Sequence, residues 1–130
     1  MIQVKVYIDD DLYDEFTGDG VIVSTPTGST AYSLSCGGPI VIPHMKVMIL
    51  TPICAHKLVV RPCVLDGNQK VRVVVSATHE DMGLTVDGQV GFALRSGDEV
   101  IVERATCETT LVRWQERAFF SILQTKLRGD

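Results

Sequence analysis

The residues best suited to chemistry are gathered between Gly18 and Gly38, GDGVIVSTPTGSTAYSLSCGG. Asp19 precedes a short apolar run, Val21-Ile22-Val23, which fits a strand buried on both faces. Seven small or turn-forming residues follow, Ser24 to Thr30. Ala31 to Ser35 can then begin a helix that Gly37-Gly38-Pro39 stops. At a helix start the first N–H groups lack intrahelical partners, and the dipole favours negative charge. Two uses are open: Ser29 or Thr30 caps those donors, or a ligand phosphate or ribose takes them. The loop is not a Walker A, since no lysine follows Gly28, and it carries no G-x-G-x-x-G fingerprint.

Elsewhere the polar residues offer less. His44, His56 and His79 lie in no triad or H-E-x-x-H context, so nucleophilic or zinc-dependent hydrolysis finds no support. Asp9-Asp10-Asp11 reads as a solvated hairpin tip, because consecutive residues on a tight turn cannot easily converge on one ion. Asp87 is followed by Gly88, a favoured two-residue hairpin pair. Cys36, Cys54, Cys63 and Cys107 form no C-x-x-C pair and no zinc-like spacing. They read as reduced thiols, which points to a cytoplasmic protein.

The elements that must position these residues are mostly strands. Ile2, Val4, Val6 and Ile8 alternate with other residues at the period of a half-buried strand, and Leu12 to Thr17 can return beside it. Val47 to Leu50 is a buried run ended by Thr51-Pro52. Further strands are expected at Leu58–Val60, Cys63–Leu65, Lys70–Val75, Leu84–Val86, Gln89–Ala93, Val100–Val102 and Thr109–Trp114. Phe119, Phe120, Leu123 and Leu127 predict a short closing helix. The expected fold is mainly β: a β-sandwich-like domain of about nine or ten short strands, with a short helix after the central loop and another at the C-terminus.

At 130 residues the chain is read as one domain, 1–130, able to bury its own core. A net charge of −4 and a pI near 5.3 argue against a nucleic-acid or anionic-membrane surface. No apolar run approaches the ~18 residues of a membrane span. Met1-Ile2-Gln3-Val4 opens directly into strand-like sequence, so no signal peptide is expected.

Asp19-Gly20, Ser24-Thr25-Pro26-Thr27-Gly28-Ser29-Thr30-Ala31-Tyr32 and Gly37-Gly38-Pro39 together resemble the signature of the NAD kinases. Leu50-Thr51-Pro52-Ile53-Cys54-Ala55-His56, Arg61-Pro62 and Val86-Asp87-Gly88 follow in that family's order. The resemblance implies the family's C-terminal β-rich domain, in an enzyme that phosphorylates the adenosine ribose 2′-hydroxyl of NAD to NADP with ATP and a divalent metal (Mg). It implies NAD contacts by Asp19, Thr27, Thr30, Ala31, Tyr32 and Ser35, with Asp19 on the nicotinamide-ribose side and Thr27 near the adenine. Cys54 and His56 would complete a neighbouring subunit's site in a homo-oligomer, and Asp87 would lie near the phosphate-transfer centre. The family's Gly-Gly-Asp-Gly and Asn-Glu motifs occur nowhere in the chain. The N-terminal kinase domain is therefore expected to be missing, and the chain alone to be inactive. A reading from another class is a non-catalytic, self-associating β-sandwich module with no nucleotide ligand, whose central loop merely caps a helix.

Overall fold

Val4 and Val6, the inward residues of an alternating run, are completely buried in the first strand, β1 (Ile2–Ile8). A computed structural model describes residues 1–78, 81–112 and 118–128. β1 turns through Asp9-Asp10 into β2 (Asp11–Gly18), and both turn residues are left-handed, with φ of 50° and 69°. That geometry gives a two-residue hairpin the twist its strands need, and aspartate tolerates it. The aspartates are exposed, as expected of a hairpin tip, but Asp9 also accepts the Lys70 amide at 2.9 Å.

β3 (Gly20–Ser24), β4 (Val47–Ile53) and β5 (Cys63–Asp66) form a three-stranded sheet in that order. β6 (Val71–Ser76) and β9 (Glu99–Val102) join the first pair in a four-stranded sheet ordered β2-β1-β6-β9. β7 (Met82–Val86) and β8 (Val90–Leu94) make a separate hairpin, whose Met82 and Leu94 pack against the core. All pairings are antiparallel. Val4, Val6, Phe16, Val71, Val73 and Val75 of the larger sheet meet Met48, Leu50 and Leu65 of the smaller one in a single apolar core. The fold is thus mainly β, with nine strands among the described residues and two small helices, α1 (Tyr32–Ser35) and α2 (Phe119–Leu127).

One expected strand does not form, and a second shows no strand over the part that is described. Leu58 and Val59 lie in an exposed turn, since the chain leaves the sheet after Ile53 and Pro62 cannot donate to a ladder. Residues 109–112 are in no strand, and the remainder of that run lies outside the described residues. Pro52, expected to end its strand, is paired with Val21 inside β4. It stands beyond Leu50, the last residue paired with β5, so β4 has a neighbour on one side only there, a setting that proline tolerates.

The smaller sheet is covered on its second face as well. Ile49 and Thr51, on the side of β4 opposite Met48 and Leu50, are both fully buried. Thr51 Oγ1 shares a hydrogen bond of 2.9 Å with Ser33 Oγ of α1. Gly38 closes this layer: a Cβ there would lie 2.8 Å from both the Ser33 carbonyl and Thr51 Oγ1. Gly38→Ala should therefore lower unfolding stability by about 1–3 kcal/mol through overpacking, read from the denaturant midpoint at unchanged slope.

Candidate functional site

β3 is a half-buried edge strand, paired with β4 alone, and not a strand buried on both faces. Its Val21 and Val23 pack against the core. Beyond Ser24 the chain makes a 3-10 turn over Thr27–Thr30 and enters the four-residue α1. Neither piece has a side-chain cap, which overturns the capping role considered for Ser29 and Thr30. Ser29 is wholly buried, its hydroxyl donating to the Pro26 carbonyl (2.6 Å) and accepting from the Val41 amide (3.1 Å). Thr30 Oγ1 reaches back to the Thr27 carbonyl at 3.4 Å. The hydroxyl that does receive an N–H is Thr25, from Gly28 at 3.1 Å.

The burial pattern divides this segment in two. Ser29 and Ser33, four residues apart, face inward and anchor it. Thr27, Thr30, Ala31, Tyr32 and Ser35 are all exposed, and Tyr32 shows 59% of its surface. The residues singled out for ligand contact thus share the solvent side of one short stretch of backbone.

Asp19 joins them from another direction. It sits between β2 and β3, where its N–H donates to the Ile53 carbonyl at 3.0 Å. Beside it the His56 amide donates to the Thr17 carbonyl at 2.7 Å. Gly18 permits this crossing, since a Cβ there would come within 3.0 Å of the Ile53 and Cys54 carbonyls and the Ala55 Cα. Cys54 and His56 are both exposed on the turn so held. The pKa of the Cys54 thiol is raised, by hydrogen bonding with Asp19 first and by the carboxylate's charge second. The Tyr32 hydroxyl is also raised, first by the neighbouring Cys36 and to a lesser degree by Cys54 and Asp19. Asp19, Tyr32, Cys36 and Cys54 therefore form one electrostatic cluster within a single chain.

Cys36 was not singled out by sequence reasoning. The signal was its position four residues after Tyr32, one helical turn on, and the Cys36 amide indeed donates to the Tyr32 carbonyl at 3.1 Å. Asp87 takes the first position of the β7–β8 turn, with φ of 53° followed by Gly88 at 68°. It is not among the groups acting on Tyr32 or Cys54. A cleft of about 620 Å³ among the described residues is lined by residues that include Asp9, Lys70, Glu103 and Arg104, and by none of the candidates. Its cations are paired, Lys70 with Glu103 at 3.5 Å and Arg104 with Glu108 at 3.4 Å.

The family model of the ATP-NAD kinase C-terminal domain matches residues 1–114. The chain belongs to this family. An NAD kinase of Moorella thermoacetica is 52% identical over 128 residues, which cover 98% of this chain and 41% of that protein. One of Carboxydothermus hydrogenoformans is 44% identical, covering 98% and 46%. Among solved structures, an NAD kinase from Archaeoglobus fulgidus in complex with ATP aligns with a TM-score of 0.74 and 32% identity, covering 82% of this chain and 40% of that one. Yeast NADH kinase complexed with NADH aligns with a TM-score of 0.73 and 39% identity, covering 78% and 29%. The chain spans less than half the length of these relatives.

The anchoring role of Ser29 is testable without any ligand. Ser29→Ala leaves the buried Val41 amide without an acceptor and should cost about 1–3 kcal/mol of stability. Thr30→Ala, at an exposed position, should change stability by no more than about 0.5 kcal/mol. Denaturant unfolding of both variants separates the inward anchor from a helix cap.

Proposed function

We propose that this chain is the NAD-binding half of an NAD kinase, whose complete enzyme transfers a phosphoryl group from ATP to the adenosine ribose 2′-hydroxyl of NAD. The observation that carries this reading is the exposed face of Thr27, Thr30, Ala31, Tyr32 and Ser35, with Asp19 close enough to act on Tyr32. In this reading Tyr32 offers an aromatic face with a hydroxyl, and Ala31 leaves room for a ring beside it. Asp19 accepts hydrogen bonds from the amide or ribose hydroxyls and favours the cationic nicotinamide. Thr27 lies toward the adenine and Thr30 toward a ribose, while Ser35 extends the face by one turn. The yeast relative's complex with NADH and the archaeal relative's with ATP support a nucleotide ligand.

The same reading makes the chain a homo-oligomer in which Cys54 and His56 complete a neighbour's NAD site. Leu58 and Val59, exposed just beyond them, supply apolar surface for such a contact. Light scattering should show a species larger than a monomer at high concentration. A clean monomer would remove this part of the reading.

Phosphoryl transfer needs converging donors around the ATP phosphates and a metal to neutralise charge. Among the described residues no three His, Cys, Asp or Glu side chains gather as a metal site, so no step is assigned to a metal held by this chain. The donor-phosphate cradle and the Mg site are proposed to belong to a further kinase domain, with Asp87 approaching the transfer centre once both parts are together. The free thiols Cys36, Cys54, Cys63 and Cys107 support a cytoplasmic setting. No helix among the described residues is long and apolar enough to cross a membrane.

Two experiments test the reading. Incubated with NAD, ATP and Mg, the chain alone should form no NADP above a no-protein control. In calorimetric titrations with NAD, Asp19→Asn should weaken binding by about 1.5–3 kcal/mol, a factor of about ten or more, by removing a charge-assisted hydrogen bond. Tyr32→Phe should cost less than Tyr32→Ala, because it keeps the ring. Unchanged affinity in Asp19→Asn would remove Asp19 from the site, and no binding by any version would favour the ligand-free interaction module.

A further inference from the structure

β4 ends at Ile53, opposite Gly20, and the chain bends there, with Cys54 left-handed at φ of 48°. From the bend, residues 53–57 leave β3 and run beside the end of β2, an edge strand of the larger sheet. Three contacts hold them there. The Asp19 N–H donates to the Ile53 carbonyl at 3.0 Å, and the His56 N–H donates to the Thr17 carbonyl at 2.7 Å. The third contact joins side chains: Lys57 Nζ lies 2.5 Å from Asp14 Oδ1, and 3.4 Å from the Glu15 carbonyl oxygen. Ala55 packs inward against the core, whereas Leu58 and Val59 are exposed just beyond Lys57. The ion pair is the outermost of the three ties, set between His56 and that exposed stretch.

A solvent-exposed ion pair adds little where both side chains lose freedom and water competes for them. This pair differs on the Asp14 side. Only 15% of that side chain is exposed, and its Oδ1 also accepts the Glu15 N–H at 2.8 Å. The carboxylate is thus fixed by its own strand, and Lys57, with 48% of its side chain exposed, closes the contact by charge. We propose that Lys57 is a positioning residue for the 54–56 turn: paired with Asp14, it holds the backbone bearing Cys54 and His56 against β2. The proposal rests on the reading in which this turn completes a neighbour's NAD site, and deepens it by naming what keeps the turn in place. Without the outermost tie the turn frays, because the exposed stretch beyond it offers nothing to hold it. A site that needs the closed turn then loses affinity in proportion to the time the turn spends open.

The first test needs no nucleotide, because the His56 N–H reports on the turn directly. Deuterium exchange followed by NMR should show that amide exchanging several-fold faster in Lys57→Met than in the unmodified chain. Exchange at Ile49 and Leu50, inside β4, should stay unchanged. Asp14→Asn should have a similar effect, and Lys57→Met should add nothing to it in the double variant. Lys57→Arg, which keeps the charge, should retain most of the protection. Unchanged exchange at His56, an equal rise at Ile49 and Leu50, or fully additive effects in the double variant would each overturn the proposal, whatever NAD does. The second test titrates NAD by calorimetry into Lys57→Met, Lys57→Arg and His56→Ala. Lys57→Met should weaken binding several-fold and Lys57→Arg should retain most of it. Binding that falls in His56→Ala but ignores Lys57→Met overturns positioning alone. NAD binding that ignores His56→Ala, or is absent, overturns the reading of the turn as part of a nucleotide site and this role with it.

Discussion

Ser33 Oγ and Thr51 Oγ1, 2.9 Å apart and almost free of solvent, hold the segment from Ser24 to Val41 against the outer face of β4. Everything proposed for the site depends on that attachment. A 3-10 turn and a four-residue helix have no stability of their own in water, because so short a piece cannot offset the cost of nucleation. They persist because buried hydroxyls satisfy the backbone and each other. Ser29 bridges Pro26 and Val41, Ser33 reaches Thr51, and Gly38 leaves the space that any side chain would take. An apolar layer could bury this surface too, but it would leave the Val41 amide without an acceptor. Small hydroxyls do both tasks in little volume, and Thr27, Thr30, Ala31, Tyr32 and Ser35 are left facing water.

The second constraint is the crossing of residues 17–20 over 53–56. Strand ends are ordinarily loose, but here two backbone hydrogen bonds and a side-chain-free Gly18 bring the segments into contact. The consequence is electrostatic. A carboxylate, a phenol and two thiols converge with no cation among the groups that shift them, so Tyr32 and Cys54 both stay protonated to higher pH. A face that is locally negative and rich in hydroxyls suits a cationic ring and ribose better than it suits a phosphate. In the proposed reading, the ATP phosphates are accordingly left to a further kinase domain.

The two sheets have different jobs. The larger one closes the core with Val4, Val6, Val71, Val73 and Val75, and its outer face carries pairings such as Arg72 stacked on Tyr7 at 4.0 Å and bonded to Glu99 at 3.0 Å. The smaller one is covered on both faces of β4, by the core on one side and the hydroxyl-pinned segment on the other. This is why β4 carries the longest unbroken run of buried residues among those described, Met48 to Thr51.

The sequence by itself determined the β class, most strand positions and the family. Strand periodicity, turn pairs such as Asp87-Gly88 and the dense Ser24-to-Tyr32 signature are local signals, readable wherever they occur. It failed where the outcome depended on a distant partner. Leu58 and Val59 have strand-like side chains but no strand to pair with, and Pro52 stays in β4 because β5 ends before it. Ser29 looks like a cap when only its neighbours in the chain are considered, yet its hydroxyl is committed to an amide twelve residues away. The approach of Asp19 to Cys54 was likewise not legible. The two are separated by most of the smaller sheet and come together only because antiparallel pairing brings Gly20 opposite Ile53. Hydrophobic period is written along the chain, whereas hydrogen-bond and charge partners are selected by packing in three dimensions, and at this site packing decided them.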